Sequence, residues 1–246
     1  MLLLSRLVAF QCLVAGTGDV EPGDVTPFFR NLLATVVSPF ILIAWIVLVM
    51  FIVSLTKGSF NAVRDQLVCS IIVILWIVHP DICHAVFASF SCIADGNGQS
   101  RLFHDLEVVC WEGQHKNFVT FVSIPALIFW VLGVPGYFMY SLRKNQHLHQ
   151  KIEAKKNLTK LELHEIDTYQ NRWGVLTSGL RADCYYWEVL VMVRKMLIIA
   201  CIECLAAVAG EVQILATMLV VVLGAMSVLY AKPFDCGTEN AFNVFS

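Results

Sequence analysis

The sequence predicts an all-α fold, a polytopic transmembrane bundle of about five membrane-spanning helices, from three observations. Of the 246 residues, 58% are hydrophobic and 15% charged, with a mean hydropathy of +0.70. Three runs carry no charged residue, at 31–56, 117–142 and 212–231. Basic residues gather in alternate connections between the apolar runs. A chain of this composition cannot hide its apolar side chains in a water-soluble core, so lipid must serve as part of its solvent.

The charge-free runs justify three of the helices. At about 1.5 Å of rise per residue, each is long enough to cross a hydrocarbon core of roughly 30 Å. Two further segments are apolar but interrupted. Segment 66–94 contains His79, Pro80 and Asp81, and segment 185–209 carries Glu188, Arg194, Lys195 and Glu203. Such interruptions mark helices buried among other helices rather than ringed by lipid. Residues 1–30 form an N-terminal segment expected outside the cytoplasm. Its apolar start, MLLLSRLVAFQCLVAG, reads either as a secretory apolar region or as the tail of an upstream helix. The transmembrane domain is then 31–246, with a long loop at 143–184.

Orientation follows from Lys and Arg, because basic loops stay on the cytoplasmic side. The loop 143–184 holds Arg143, Lys144, Lys151, Lys155, Lys156, Lys160, Arg172 and Arg181, while the connection before residue 117 sets only Arg101 and Lys116 against Asp95, Asp105, Glu107 and Glu112. The N-terminus is therefore expected outside and the C-terminus inside. One signal disagrees. Asn157-Leu158-Thr159 is a glycosylation sequon in the loop placed in the cytoplasm, and it is expected to go unused.

The cysteines and histidines give few sites. Cys92 and Cys110 flank the connection on the oxidising side, where either a loop-closing disulfide or two free thiols would fit. Cys201 and Cys204 share a helical face, but a zinc site needs about four ligands and the segment offers no others. His79 and His84 are five residues apart and point to different sides of a helix, so they form no chelate by themselves. His104 and His115 lie in the connection and could bind a cation or sense pH, but a lone loop histidine is ordinarily neither. His147 and His149 sit among charges and read as solvated. No glycine-rich phosphate loop, nucleophile elbow or acid/base dyad is present, so no enzyme, metal or cofactor is expected.

The loop 143–184 divides in two. Its centre, QKIEAKKNLTKLELHEI, has opposite charges at helical spacings and reads as a surface helix. Its second half interleaves Trp173, Val175, Leu176 and Leu180 with Arg172 and Arg181, and either lies along the inner headgroups or packs beneath the bundle.

That second half also carries a resemblance. Arg172-Trp173-Gly174-Val175-Leu176, Gly179-Leu180-Arg181, Tyr185-Tyr186-Trp187-Glu188 and Arg194-Lys195 resemble the RYGFLY, GY, YYWE and RK stretch of TRP-like multi-pass membrane proteins of ciliates and algae. Phe10-Gln11-Cys12, Phe90 to Cys92, Asp95-Gly96, Asp105-Leu106, Cys110-Trp111 with His115, Pro125, Gly133, Pro135, Lys232-Pro233-Phe234, Asn240 and Asn243 follow the same pattern in order. Trp173 and Thr177 stand where those relatives have tyrosine, as does Leu180 after Gly179. The chain also lacks their cysteine-rich extracellular repeats. The resemblance implies a TRP-like ion channel or transport module. Because the relatives continue into further helices, a fragment or incomplete gene model is expected.

The residues that would shape permeation or gating are Glu188, Arg194, Lys195, Asp81 and Glu203. Arg194 and Lys195 lie about 12 Å along a helix from Tyr186, too deep for easy contact with the headgroups. Three readings stay open: snorkelling supported by Glu188, a run of charges through the bundle with Asp81 and Glu203, or a face for partner helices. Pro80 beside Asp81 either bends a helix at a cation site or kinks it near a water-exposed carboxylate. Gly133 and Pro135 make either a gating hinge or a close helix contact. Expected partners are membrane lipids, inorganic cations, and a second copy or partner helices, with no nucleic acid. The competing class is a non-conducting receptor or scaffold anchor.

Overall fold

The computed structural model describes residues 26–57, 60–96, 98–154, 159–206 and 210–234. Most of the N-terminal segment 1–30, the sequon residues Asn157 and Leu158, the end of segment 185–209, and Asn240 and Asn243 lie outside the described residues. The described chain is a helix bundle with a small sheet at one end. Its elements run α1 (Pro27–Lys57), α2 (Phe60–Ala88), β1 (Cys92–Ala94), β2 (Ser100–Leu102), β3 (Asp105–Val109), α3 (Gly113–Lys144), α4 (Gln146–Ala154), α5 (Lys160–Thr177), α6 (Trp187–Leu205) and α7 (Gly210–Ala231). Four of these, α1, α2, α3 and α7, are long and apolar enough to cross a membrane. The fifth, α6, packs among them and carries the charges.

Prolines inside the membrane helices leave carbonyls without the usual N–H partner four residues on, and side chains answer two of these vacancies. Pro39 cannot donate to Thr35, and the Ser38 hydroxyl donates to that carbonyl at 2.9 Å. In α3, Pro125 and Pro135 accompany two π-helical stretches, Val119–Ser123 and Leu127–Leu132. Pro135 cannot donate to the Val131 carbonyl, and His79 of α2 places its Nε2 3.3 Å from that oxygen. Gly133 closes the second π stretch, and a Cβ there would stand 3.1 Å from the Ile128 carbonyl oxygen.

The second apolar segment was expected as one helix over 66–94. The helix instead ends at Ala88, and Cys92–Ala94 enters an antiparallel sheet in the order β1-β2-β3. Cys92 pairs with Leu102 and Ala94 with Ser100 across β1 and β2, and Arg101 pairs with Val109 across β2 and β3, with an irregularity at Arg101 and Leu102. The cause is local. Cys92 and Cys110 are joined as a disulfide with Cα atoms 6.4 Å apart, and Arg101 holds Asp95 at 3.2 Å and the Leu106 carbonyl at 2.8 Å. Leu102 and Val108 then bury against Phe29 and Leu32 of α1, docking this hairpin on the bundle.

The main core joins α2 (Ile82, Cys83, Val86) to α3 (Trp130, Val131, Phe138), α5 (Ile166, Tyr169, Trp173, Leu176) and α6 (Val189, Met192). This decides between the two arrangements open for the second half of the loop. It packs beneath the bundle, with Trp173 and Leu176 buried and Val175 exposed. Arg172 does not reach for headgroups. Its Nε and Nη2 stand 2.8 and 2.7 Å from the same oxygen of Asp65 on α2. The surface helix expected over 150–166 is two helices, because Thr159 starts a new one. Its hydroxyl accepts the Glu162 N–H, and the Glu162 carboxylate accepts the Thr159 N–H in return, a reciprocal cap. After α5, Gly179 takes φ +77°, and the chain turns so that the Arg181 N–H donates to the Pro233 carbonyl at 2.9 Å.

Candidate functional site

Helix α6 presents charge at two levels. Near its start, Glu188, Arg194 and Lys195 line a cavity of about 270 Å³ that Trp76 of α2, Trp187 and Val191 of α6, and Val228 of α7 help to enclose. Glu188 and Lys195, seven residues and so about two turns apart, interact electrostatically. Lys195 sets its Nζ 4.9 Å from the centroid of the Trp76 ring, a contact that stabilises a cation by about 0.5–2 kcal/mol depending on desolvation. Arg194 lies across Gly224 of α7. A Cβ at that glycine would meet Arg194 Cδ at 2.5 Å and Nη1 at 3.2 Å, so the missing side chain makes the room for Arg194 between α6 and α7.

At the other end of α6, the end that carries the hairpin, Glu203 is buried at 4% exposure. His84 Nε2 of α2 stands 3.0 Å from its Oε1, and His104 Nε2, from the turn between β2 and β3, stands 2.7 Å from its Oε2. A carboxylate only accepts, so both imidazoles donate from Nε2. The Phe28 ring stacks on His104 with centroids 6.3 Å apart. Asp81 is exposed on α2, three residues before His84, and interacts with it electrostatically.

The residues expected to act together therefore divide. Glu188, Arg194 and Lys195 share the cavity, whereas Glu203 and Asp81 belong with two histidines at the hairpin end. Pro80 lies within the continuous helix α2, and Gly133 and Pro135 lie where α3 passes from π to α geometry. Two other histidines, His79 and His115, hold backbone. The His115 ring is buried, accepts the Trp111 N–H at Nδ1 (2.9 Å) and donates from Nε2 to the Ser89 carbonyl (3.1 Å). Trp111 has φ 66°, a left-handed conformation costly for a bulky residue, and that hydrogen bond fixes it. Cys92, Cys110 and His115 lie close enough to suggest a metal ion, but the two sulfurs are bonded to each other and both His115 nitrogens are engaged.

The sequence alone missed His84, His104, Trp76 and the pair of Asp65 with Arg172. One signal was present for His84, three residues after Asp81 and so on the same side of the helix. His104 gave none, because its partner lies 99 residues away.

A profile described as transient receptor potential (TRP) ion channel matches residues 24–246, which takes in every described element. The chain belongs to the TRP ion channel family. It is an integral membrane protein of that family, and both charge clusters lie inside the matched region. Comparison with curated proteins and with solved structures gives no match.

Proposed function

We propose that this TRP-family chain works as an ion channel or transport module in which α6 sets permeation or gating by intramembrane electrostatics. The observation that carries the reading is the cavity where Glu188, Arg194 and Lys195 meet Trp76 and α7. Charged groups within a membrane bundle persist where they line a polar cavity or pair with one another, and they mark ion pathways and field-sensitive elements. Arg194 against Gly224 seats a charged side chain in the α6–α7 contact, so a shift of α6 along α7 would move both cations relative to Trp76.

We place the hairpin end outside the cytoplasm and the α4–α5 end inside. The disulfide on one side and the basic loop on the other support this arrangement. The test is cation flux through liposomes holding the purified chain. Arg194→Gln and Gly224→Val should each change the flux, the first by removing the charge and the second by displacing it. Asp81→Asn should alter it by removing the exposed carboxylate at the hairpin end. Absence of flux for the parent chain in a correctly inserted, folded state would support the competing reading, a non-conducting membrane anchor.

A further inference from the structure

The structure assigns a second site to the hairpin end. We propose that His84, His104 and Glu203 bind a divalent transition-metal ion of the zinc class, clamping α2, the β2–β3 turn and α6 together. This inference stands independently of whether the chain conducts.

The donor set fits that chemistry. Two imidazoles and one carboxylate suit zinc and its neighbours, and three protein ligands leave a fourth position for water. The three groups come from separate elements and already converge on one carboxylate: His84 Nε2 lies 3.0 Å from Oε1 and His104 Nε2 2.7 Å from Oε2. Around a tetrahedral ion, donors at about 2.0–2.1 Å from the metal stand about 3.3 Å apart. Each nitrogen–oxygen pair must therefore open by only a few tenths of an ångström, while the two imidazoles, which engage opposite oxygens of the carboxylate, must swing toward each other to share one ion. The change in protonation is equally small. Each neutral imidazole moves its single proton from Nε2 to Nδ1, freeing the Nε2 lone pair for the metal.

Access and anchoring follow from burial. The His84 side chain is 59% exposed and that of His104 30%, whereas that of Glu203 is 5% exposed. An ion can thus reach the carboxylate past the imidazoles. Glu203 sits two residues from the end of α6 and His84 four from the end of α2, which places the site at the rim of the bundle rather than in its middle. Two other groups lie nearby. Asp81 interacts with His84, and the Cys204 thiol, next along α6, interacts with Glu203. Asp81 adds a second carboxylate on the His84 side of the site, and Cys204 is the competitor that the test must separate.

The experiment is a Zn2+ titration of the full chain, purified in micelles without a polyhistidine tag and followed by calorimetry, with Co2+ absorption as a second readout. One ion per chain is expected. The double variant His84→Gln/His104→Gln keeps an N–H donor for Glu203 but no imidazole lone pair, so the bundle stays intact as judged by thermal unfolding. Its affinity should fall by about 100-fold or more, beyond the 10–100-fold typical of losing an outer-shell partner. Cys201→Ser/Cys204→Ser should leave binding within a few-fold of the parent. The proposal is overturned if the parent binds no ion, if the glutamine variant binds as tightly as the parent, or if the serine variant is the one that loses the ion.

Discussion

Breaking the bond between Cys92 and Cys110 tests how the hairpin is held. The cysteines are 18 residues apart in sequence. Closing a loop of that size removes about 11 cal/mol/K of chain entropy from the opened state, which is about 3 kcal/mol at 25 °C. The bond lies within one locally folded unit, so the effect belongs to local opening of the sheet rather than to unfolding of the bundle. The Phe103 N–H, which donates to the Ser91 carbonyl, and the Cys110 N–H, which donates to the Ser100 carbonyl, both at 2.8 Å, report that opening. Amide hydrogen exchange in micelles, with and without reductant, should show these two amides exchanging on the order of a hundred-fold faster once the bond is reduced. Amides in the middle of α2 and α6 should not change. Cys92→Ser/Cys110→Ser should behave as the reduced chain does. Equal exchange in the hairpin before and after reduction would refute the entropic argument. Equal acceleration across all helices would show instead that the bond supports the whole bundle.

Three further outcomes follow from the geometry. At the start of α5, a hydrogen bond from Lys151, followed by those from the Thr159 N–H and hydroxyl, lowers the Glu162 carboxyl to about 2. Because the folded value lies below the unfolded one, this stabilisation is complete above the ordinary carboxylate range near 4.5 and disappears as pH falls through about 2. A carbon-detected NMR titration of Glu162 that gave a midpoint near the ordinary range would contradict the cap. Asp65→Asn and Arg172→Ala should each destabilise the junction of α2 and α5, and a double-mutant cycle by thermal unfolding should return a coupling of about 1–3 kcal/mol, modest because Arg172 is partly exposed. His79→Leu should cost about 1–3 kcal/mol by leaving the Val131 carbonyl without a donor. In a Pro135→Ala background the restored N–H can reach that carbonyl, so the same substitution should cost measurably less. Strict additivity of the two would count against the link between the proline and the histidine.

Much of the architecture was legible in the residues, and the reasons are local. Charge-free runs longer than the hydrocarbon core announced α1, α3 and α7, and the interruptions at His79 to Asp81 and at Arg194-Lys195 marked α2 and α6 as packed among other helices. The limits of α2 were less legible. Apolar content continues through Phe90 to Ala94, but strand pairing and a covalent bond at Cys92 outweigh hydropathy there. The loop helix was misjudged at Thr159, where a capping threonine with Glu162 three residues on was a readable signal. For Arg172 the choice between lipid headgroups and packing beneath the bundle stayed open because its partner Asp65 is 107 residues away and no spacing rule reaches that far.

What the sequence determined by itself is the set of terms that add up along the chain: which stretches belong in lipid, where prolines leave carbonyls unpaired, and which cysteines lie close enough to join. Only the tertiary structure decided which charge meets which. Transfer of apolar side chains into lipid is summed residue by residue and needs no knowledge of neighbours, whereas an ion pair falls off steeply with distance and exists only once helix register is set. Glu203 could have faced another helix, lipid or water by any rule of composition. It faces His84 and His104 because α2 and the hairpin, fixed by Leu102 against Phe29, bring those two rings to the end of α6.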